Sequence, residues 1–451
     1  MHKTVLKIFK RVLKDFNTLD NSNYALAGEA LFCFVSFRLT TKNGIYILDL
    51  LRMLKDTFKL FSKKNKVINY KNNSTAAILD ITFNNEELRV NYAKEILKIE
   101  AGYFYSKQEL LLKGSFLFNI RTYFSVIYYF ILLAFINKKK GSKINYALCL
   151  KELIECTCIL NSLKKNKIDL IIDYANYEVD SNFFYLLAKE LNITVYKVPS
   201  PNPLSFHNKI ILGDYLILSS GYQIEEIKKL DKIRVRYIIK SMPEQGINYL
   251  NQYKQKGIVL DNTYLLGYYS HASWVRLKEK HADNGLAIDN LEEETLKIIN
   301  DLLKSNSSYK LIIFLHPREK KIEQEIIYEY YSKILKREQI EFAPLNAKTA
   351  ESFDLINIAI LAISSILFDR LFVGRKLFIY KNKPDAYFPM KESTLNNICF
   401  NSKQELETLI GKSIKLTNES FYDSFGISNH LGTNFENYNP ILYKDFVQNI
   451  S

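Results

Sequence analysis

Short apolar runs that stop abruptly in polar residues constrain this chain more than any other feature. Tyr309-Lys-Leu-Ile-Ile-Phe-Leu315 stops at His316-Pro317-Arg318, and Ala359-Ile-Leu-Ala-Ile363 stops at Ser364-Ser365. Lys376-Leu-Phe-Ile-Tyr380 follows. Each run is too short for a globular helix and largely lacks alternation. That is the pattern of a strand buried on both faces, as in a parallel sheet. Parallel strands need crossovers, and helical stretches lie between the runs: Leu291 to Lys304, Glu323 to Leu335, Phe353 to Ile356, and a helix from Ser365. Open sheets of this kind bind ligands outside the carboxyl ends of their strands. His316, Arg318, Ser364 and Ser365 are therefore read as one anion-binding constellation.

The same rhythm runs back toward the N-terminus. Strands are expected at Ile168 to Asp173, Ile193 to Val198, Asp214 to Ser220 and Tyr264 to Tyr269. Helices are expected at Tyr146 to Lys164 and Ser181 to Glu190. Pro199, Pro201 and Pro203 enforce a loop, because proline fits neither a helix interior nor a central strand. Met242-Pro-Glu-Gln-Gly246 breaks any helix within Ser241 to Gly257, which reads as a crossing segment between domains. Ala76 to Phe83 predicts a further strand, and Asn84-Asn-Glu-Glu87 suits the start of a helix. Residues 1–65 read as helical, with Phe9, Val12, Leu13 and Phe16 at helical spacing. Glu405 to Ile410 is a last helix, and the tail to Ser451 holds few signals. The expected fold class is α/β: two Rossmann-like domains with parallel sheets facing a cleft, plus a helical N-terminal region. At 451 residues the chain is long enough for two such cores.

Charge narrows the partners. The formal net charge is +14, which suits nucleic acid, an anionic membrane surface or a polyanionic substrate. Lysines are scattered in short clusters rather than gathered in one stripe, and no nucleic-acid motif occurs, so no nucleic-acid partner is expected. Tyr123 to Ile136 is uncharged and aromatic, and Lys138-Lys-Lys140 follows it. Arg121 cuts this run short of a span. A buried helix and a helix lying on an acidic inner leaflet both fit. Cys33, Cys149, Cys156, Cys158 and Cys399 form no Cys-x-x-Cys pair and read as free thiols of a reducing cytosol. Met1-His-Lys starts polar, and no signal-peptide pattern follows.

Several stretches carry candidate chemistry. After His316, Pro317 sets the turn at the strand end, and Arg318 adds a fork suited to phosphate. A serine pair at a strand-to-helix junction caps the helix, and the same geometry offers hydroxyls and helix N–H groups to an anion. Gly267-Tyr-Tyr-Ser-His-Ala-Ser-Trp-Val-Arg276 holds the only tryptophan and leaves a strand at the expected cleft. Ser270, His271, Ser273, Trp274 and Arg276 are candidate cleft contacts; a loop anchored by a buried Trp274 fits equally well. No Gly-x-Gly-x-x-Gly, Walker motif or Asp-x-Asp occurs. No metal and no cofactor is therefore expected beyond a nucleotide-linked donor.

The spacing of His316-Pro317, Asp354-Leu-Ile, Ala359 through Ser364-Ser-Ile-Leu-Phe-Asp369 and Lys376-Leu-Phe-Ile-Tyr resembles bacterial GT-B glycosyltransferases with cytidine-nucleotide donors. It is similar both to capsule and lipooligosaccharide sialyl- and polysialyltransferases and to CDP-glycerol transferases, where a Ser-Ser-x-x-Phe-Asp run occurs. The likeness covers roughly the second domain. It implies that His316, Ser364 and Ser365 hold the donor phosphate and that His316 protonates the leaving group. It also implies an acidic base in the first domain. The family's acidic-acidic-Gly motif is missing; Glu178 and Asp180 are the nearest match by position, with Asp80 in reserve. Residues 1–250 would form the acceptor-side domain with a helical preface to 70, 258–415 the donor-binding domain, and 416–451 a tail packing back on the first. The implied partners are a CMP-sugar and a glycan or lipid-linked glycan acceptor, at the inner face of a bacterial cytoplasmic membrane.

Overall fold

The computed structural model describes residues 75–79, 86–95, 97–105, 163–174, 185, 188–189, 191–198, 211–227, 233–241, 246, 249, 264–278, 291–347, 350–362, 364–382, 388–432 and 441–442. The helical preface, the aromatic stretch 123–136, Asp80, Glu178, Asp180 and every cysteine but Cys399 lie outside these residues. Among the described residues, no helix is long and apolar enough to cross a membrane.

Two sheets organise the chain, as its apolar runs predict. The first contains β1 (Ala76–Leu79), β2 (Tyr103–Tyr105), β3 (Leu170–Asp173), β4 (Thr194–Lys197), β5 (Ile211–Leu218) and β6 (Ile233–Lys240). Their spatial order is β2-β1-β3-β4-β5-β6, with every pair parallel. The second contains β7 (Tyr264–Tyr269), β8 (Tyr309–Phe314), β9 (Ile340–Phe342), β10 (Ile358–Leu361), β11 (Leu377–Tyr380) and β12 (Cys399–Phe400), in the order β9-β8-β7-β10-β11-β12, again parallel. A short β13 (Ile441–Leu442) returns to pair antiparallel with β6.

The strand orders locate where a ligand belongs. In the second sheet the chain starts at β7, runs outward through β8 and β9, then returns to the other side of β7 for β10, β11 and β12. This is the 3-2-1-4-5-6 order of a dinucleotide-binding sheet, and its crevice opens between the first and fourth strands, β7 and β10. In the first sheet the order reverses at β1 and β3, where Leu79 pairs with Asp173. Asp80 follows Leu79 in sequence, and the segment carrying Glu178 and Asp180 follows Asp173.

α1 is Glu86–Glu95, α2 Gly221–Ile227, α3 Ser273–Lys278 and α4 Leu291–Ser305. α5 is Gln324–Ser332, α6 Ile366–Phe372, α7 Lys403–Ile414 and α8 Asn418–Ser424. α4 buries Leu296, Ile299, Leu302 and Leu303, with Glu292, Glu293 and Glu294 in its first turn and Lys304 in its last, as the helix dipole favours. The helix expected at Phe353 to Ile356 is instead a 3-10 turn, Ala350–Asp354. Asn357 accepts the Leu265 N–H at 2.7 Å, so the chain must become extended in time to enter β10. β6 escapes the sequence pattern because Arg234 and Arg236 interrupt its apolar residues.

α2 joins the two domains. Tyr222 is fully buried among the apolar residues of the second domain, 5.7 Å from Phe368 and 5.2 Å from Phe388 between ring centroids. Glu225 accepts hydrogen bonds from Ser393 Oγ (2.7 Å) and Asn429 Nδ2 (2.8 Å). The carboxyl end of β5 thus meets α6, the helix that leaves β10.

Candidate functional site

His316 leaves the end of β8, the neighbour of β7, and Ser364 leaves the end of β10 on the other side. Two strand spacings separate them, about 10 Å along one sheet edge. Parallel pairing makes all these ends point the same way, so His316, Arg318, Ser364 and Ser365 share the edge that opens at the switch point. Ser364 is half-buried and Ser365 exposed. Ser365 makes no side-chain cap to α6.

The His316 turn is tightly determined by its own next residues. Nδ1 of His316 accepts the Arg318 N–H at 3.1 Å. The His316 carbonyl accepts the N–H groups of Glu319 (2.9 Å) and Lys320 (3.1 Å). The Glu319 carboxylate reaches back to the His316 N–H at 2.8 Å. The His316 ring and the Glu319 carboxylate thus each bond the backbone of the other's turn, as the two side chains of a capping box do, just ahead of the 3-10 turn Glu319–Lys321. An Nδ1 that accepts a proton donor carries no proton itself. The hydrogen-bond network therefore assigns the neutral ring as the Nε2–H tautomer, a donor suited to a phosphate oxygen.

Below this turn lies a buried polar cluster. Trp274 is only 7% exposed; its indole N–H donates to Glu319 at 2.7 Å and its ring stacks on Tyr330 at 4.6 Å. Tyr331 O–H donates to the same Glu319 oxygen at 3.0 Å. Glu292, from the first turn of α4, accepts from Ser270 Oγ (2.7 Å), Ser273 N–H (2.8 Å), Ser273 Oγ (2.8 Å) and Tyr268 O–H (3.2 Å). The turn after β7 is thereby gripped from α4, while the turn after β8 is gripped by Glu319. Ala272, in the turn after β7, has φ of 55°, a left-handed conformation that costs an L-residue about 1–2 kcal/mol. Strain of this kind persists only where surrounding bonds over-determine it.

The two carboxyls titrate apart. Burial and the charge of Glu292 push Glu319 above the ordinary carboxylate range. Burial opposes ionisation of Glu292 too, but His271 and the Ser270 and Ser273 hydrogen bonds outweigh it and hold Glu292 below that range.

Among the residues expected to touch the cleft, Ser270, His271, Ser273 and Trp274 are all buried, so the structure brings them together as the frame beneath the sheet edge. Arg276 lies on α3, and its side chain is outside the described residues. Glu292 and Glu319 did not stand out in the sequence. The signal for Glu319 was present: a glutamate three residues after a cap-type turn. Glu292 looked like any acidic residue at a helix start. Among the described residues, no group of His, Cys, Asp and Glu is arranged to hold a metal ion.

No family model matches the chain, and no curated protein matches it in sequence. Solved structures do resemble it. UDP-GlcNAc 2-epimerase from Neisseria meningitidis, bound to UDP-GlcNAc, has 12% sequence identity over 78% of this chain and 96% of that one, with a TM-score of 0.43. A glycosyltransferase from Rickettsia africae has 13% identity over 80% and 96%, with a TM-score of 0.43. The wall teichoic acid polymerase TagF has 13% identity over 85% and 93%, with a TM-score of 0.40.

Proposed function

We propose that the chain is a metal-independent glycosyltransferase of bacterial surface-glycan synthesis, with a CMP-activated acidic sugar of the nonulosonate or Kdo type as donor. The observation that carries this reading is the His316-Pro317-Arg318 turn. It stands one strand from the switch point of a 3-2-1-4-5-6 sheet, with its ring held as an Nε2–H donor. As the bond to the sugar breaks, negative charge grows on the departing phosphate. His316 Nε2–H, the Arg318 guanidinium and the Ser364 and Ser365 hydroxyls meet that charge from preorganised positions. The neutral His316 ring keeps its proton and stabilises the leaving phosphate by a hydrogen bond from Nε2–H. A carboxylate of the first domain, Glu178 or Asp180 with Asp80 in reserve, takes the proton of the acceptor hydroxyl. A single displacement of this kind inverts the anomeric carbon. Arg276 is a further donor or acceptor contact from α3. The net charge of +14 suits an anionic glycan acceptor and the inner leaflet of a bacterial cytoplasmic membrane.

The run Ser364-Ser-Ile-Leu-Phe-Asp369 favours a second donor, CDP-glycerol or another polyol phosphate. Phosphorus in the product polymer distinguishes the two. The catalytic reading is tested by CMP release from a panel of CMP-sugars. Wild type is expected to release CMP and His316→Ala to lose nearly all of that activity. No release by wild type, or release unchanged by the substitution, sinks the reading and leaves a non-catalytic glycan- or nucleotide-binding subunit.

A further inference from the structure

We propose that Glu319 is the positioning residue of the His316 turn, and that its grip on the His316 backbone presents the ring to ligand through Nε2–H alone. The proposal rests on His316 facing the ligand, as in the function proposed above, but its test reads the ring directly and not turnover. The geometry closes a loop of bonds. Glu319 Oε2 accepts the His316 N–H at 2.8 Å, and Oε1 accepts the Trp274 indole N–H at 2.7 Å and the Tyr331 O–H at 3.0 Å. Glu319 is 0% exposed, so its carboxylate has a fixed orientation. With the His316 N–H held, the backbone turns so that the Arg318 N–H meets Nδ1 at 3.1 Å. One ring nitrogen is then committed as an acceptor, and the proton stays on the other. This is the logic by which a second hydrogen bond sets a histidine's tautomer.

Hydrogen-bond donors converge on the Glu319 carboxyl, against the opposing charge of Glu292. Trp274 reaches it from α3, Tyr331 from α5, and the His316 N–H from the turn, all three donating, and the Ser270 hydroxyl faces it from the turn after β7. Tyr268, Tyr330 and Glu292 border the same buried cluster, and His271 lies against Glu292. A neutral amide in place of Glu319 would turn an NH2 group toward one set of these donors. Glu319→Gln therefore cannot reproduce the bonding, although it fills the same volume.

The test is long-range 1H–15N correlation on protein with 15N-labelled histidine, the His316 signals being assigned by their loss in His316→Ala. Wild type is expected to show one Nε2–H tautomer with an acceptor-type Nδ1. Glu319→Gln is expected to average the two tautomers, the ratio falling about five- to tenfold, as loss of one hydrogen bond implies. Trp274→Phe removes a donor from Oε1 and leaves the Oε2 bond, so it is expected to retain the wild-type tautomer. Should Glu319→Gln fail to fold, Glu319→Asp takes its place: one methylene shorter, it draws the carboxylate away from the His316 N–H and is expected to average the tautomers too. The proposal is overturned by an Nδ1–H or averaged ring in wild type. It is equally overturned by a single Nε2–H ring that persists in the folded Glu319 variant, which would leave Glu319 a purely structural residue. Absence of CMP release with the tautomer shift present would instead count against the enzymatic reading alone.

Discussion

A methyl group added at Gly221 tests how closely the two domains are fitted. Gly221 opens α2, and a Cβ there would stand 2.7 Å from the Asn429 carbonyl oxygen, 2.7 Å from His430 Nδ1 and 3.1 Å from His430 Cα. Two of those atoms belong to the backbone of a 3-10 turn, Ser428–His430, that cannot swing aside like a side-chain tip. Two effects compete in Gly221→Ala. Helix propensity gains at most about 1 kcal/mol. Overpacking a fitted contact costs about 1–3 kcal/mol. The steric cost wins, and the variant is expected to lose about 1–2 kcal/mol. Gly411 on α7 provides the opposite case, since a Cβ there meets nothing within 4 Å. Gly411→Ala is expected to gain about 0.5–1 kcal/mol from propensity alone. Urea unfolding of both variants beside wild type gives the comparison. A Gly221→Ala protein as stable as Gly411→Ala would refute the close fit of α2 against the second domain.

Other expectations follow from the same geometry. Burial lowers His430 from 6.5 to about 4, with the nearby Glu225 opposing. The unfolded chain then takes up a proton below pH 6.5 that the folded chain refuses until about 4. Stability is therefore full above pH 6.5 and falls by at most about 3 kcal/mol as pH drops toward 4. His430→Gln should flatten that part of the profile, and superimposable acid limbs would contradict it. Glu292→Ala strands Ser270 Oγ and both Ser273 donors, at about 1–3 kcal/mol for each group left unpaired. It should unfold well before wild type in a thermal scan; an unchanged midpoint would remove the frame described here. Burial pushes the Cys399 thiol up to about 12, so it should react slowly with a thiol reagent at pH 8 until the protein unfolds.

Much of the fold was legible because parallel strands announce themselves. β7, β8, β10 and β11 are short apolar runs, and their pattern marks both their extent and the edge where polar residues begin. β9 was not legible, being short and half-buried, so little hydrophobic signal distinguishes it from a loop. β6 was hidden by arginines on a strand that faces its neighbours unevenly. α2 was missed because it spans only two turns and buries itself against the other domain, so no amphipathic period develops. At the site, His316 and the serine pair stood out by their place after strands. Trp274 was read with two alternatives, and the structure seats it on Glu319. Glu292 and Glu319 were illegible as a pair because what joins them is spatial: α4 and the β8 turn converge under the sheet edge.

Nucleotide-dependent thermal stabilisation tests the central claim, a cytidine-nucleotide site built on the His316 turn. A ligand at a hundred times its dissociation constant adds about 2.7 kcal/mol to the folded state. Wild type should be stabilised by CMP and CDP more than by UDP or GDP, and His316→Ala should lose that shift while remaining folded. Equal shifts for all four nucleotides, or a cytidine shift that survives in His316→Ala, would contradict the account.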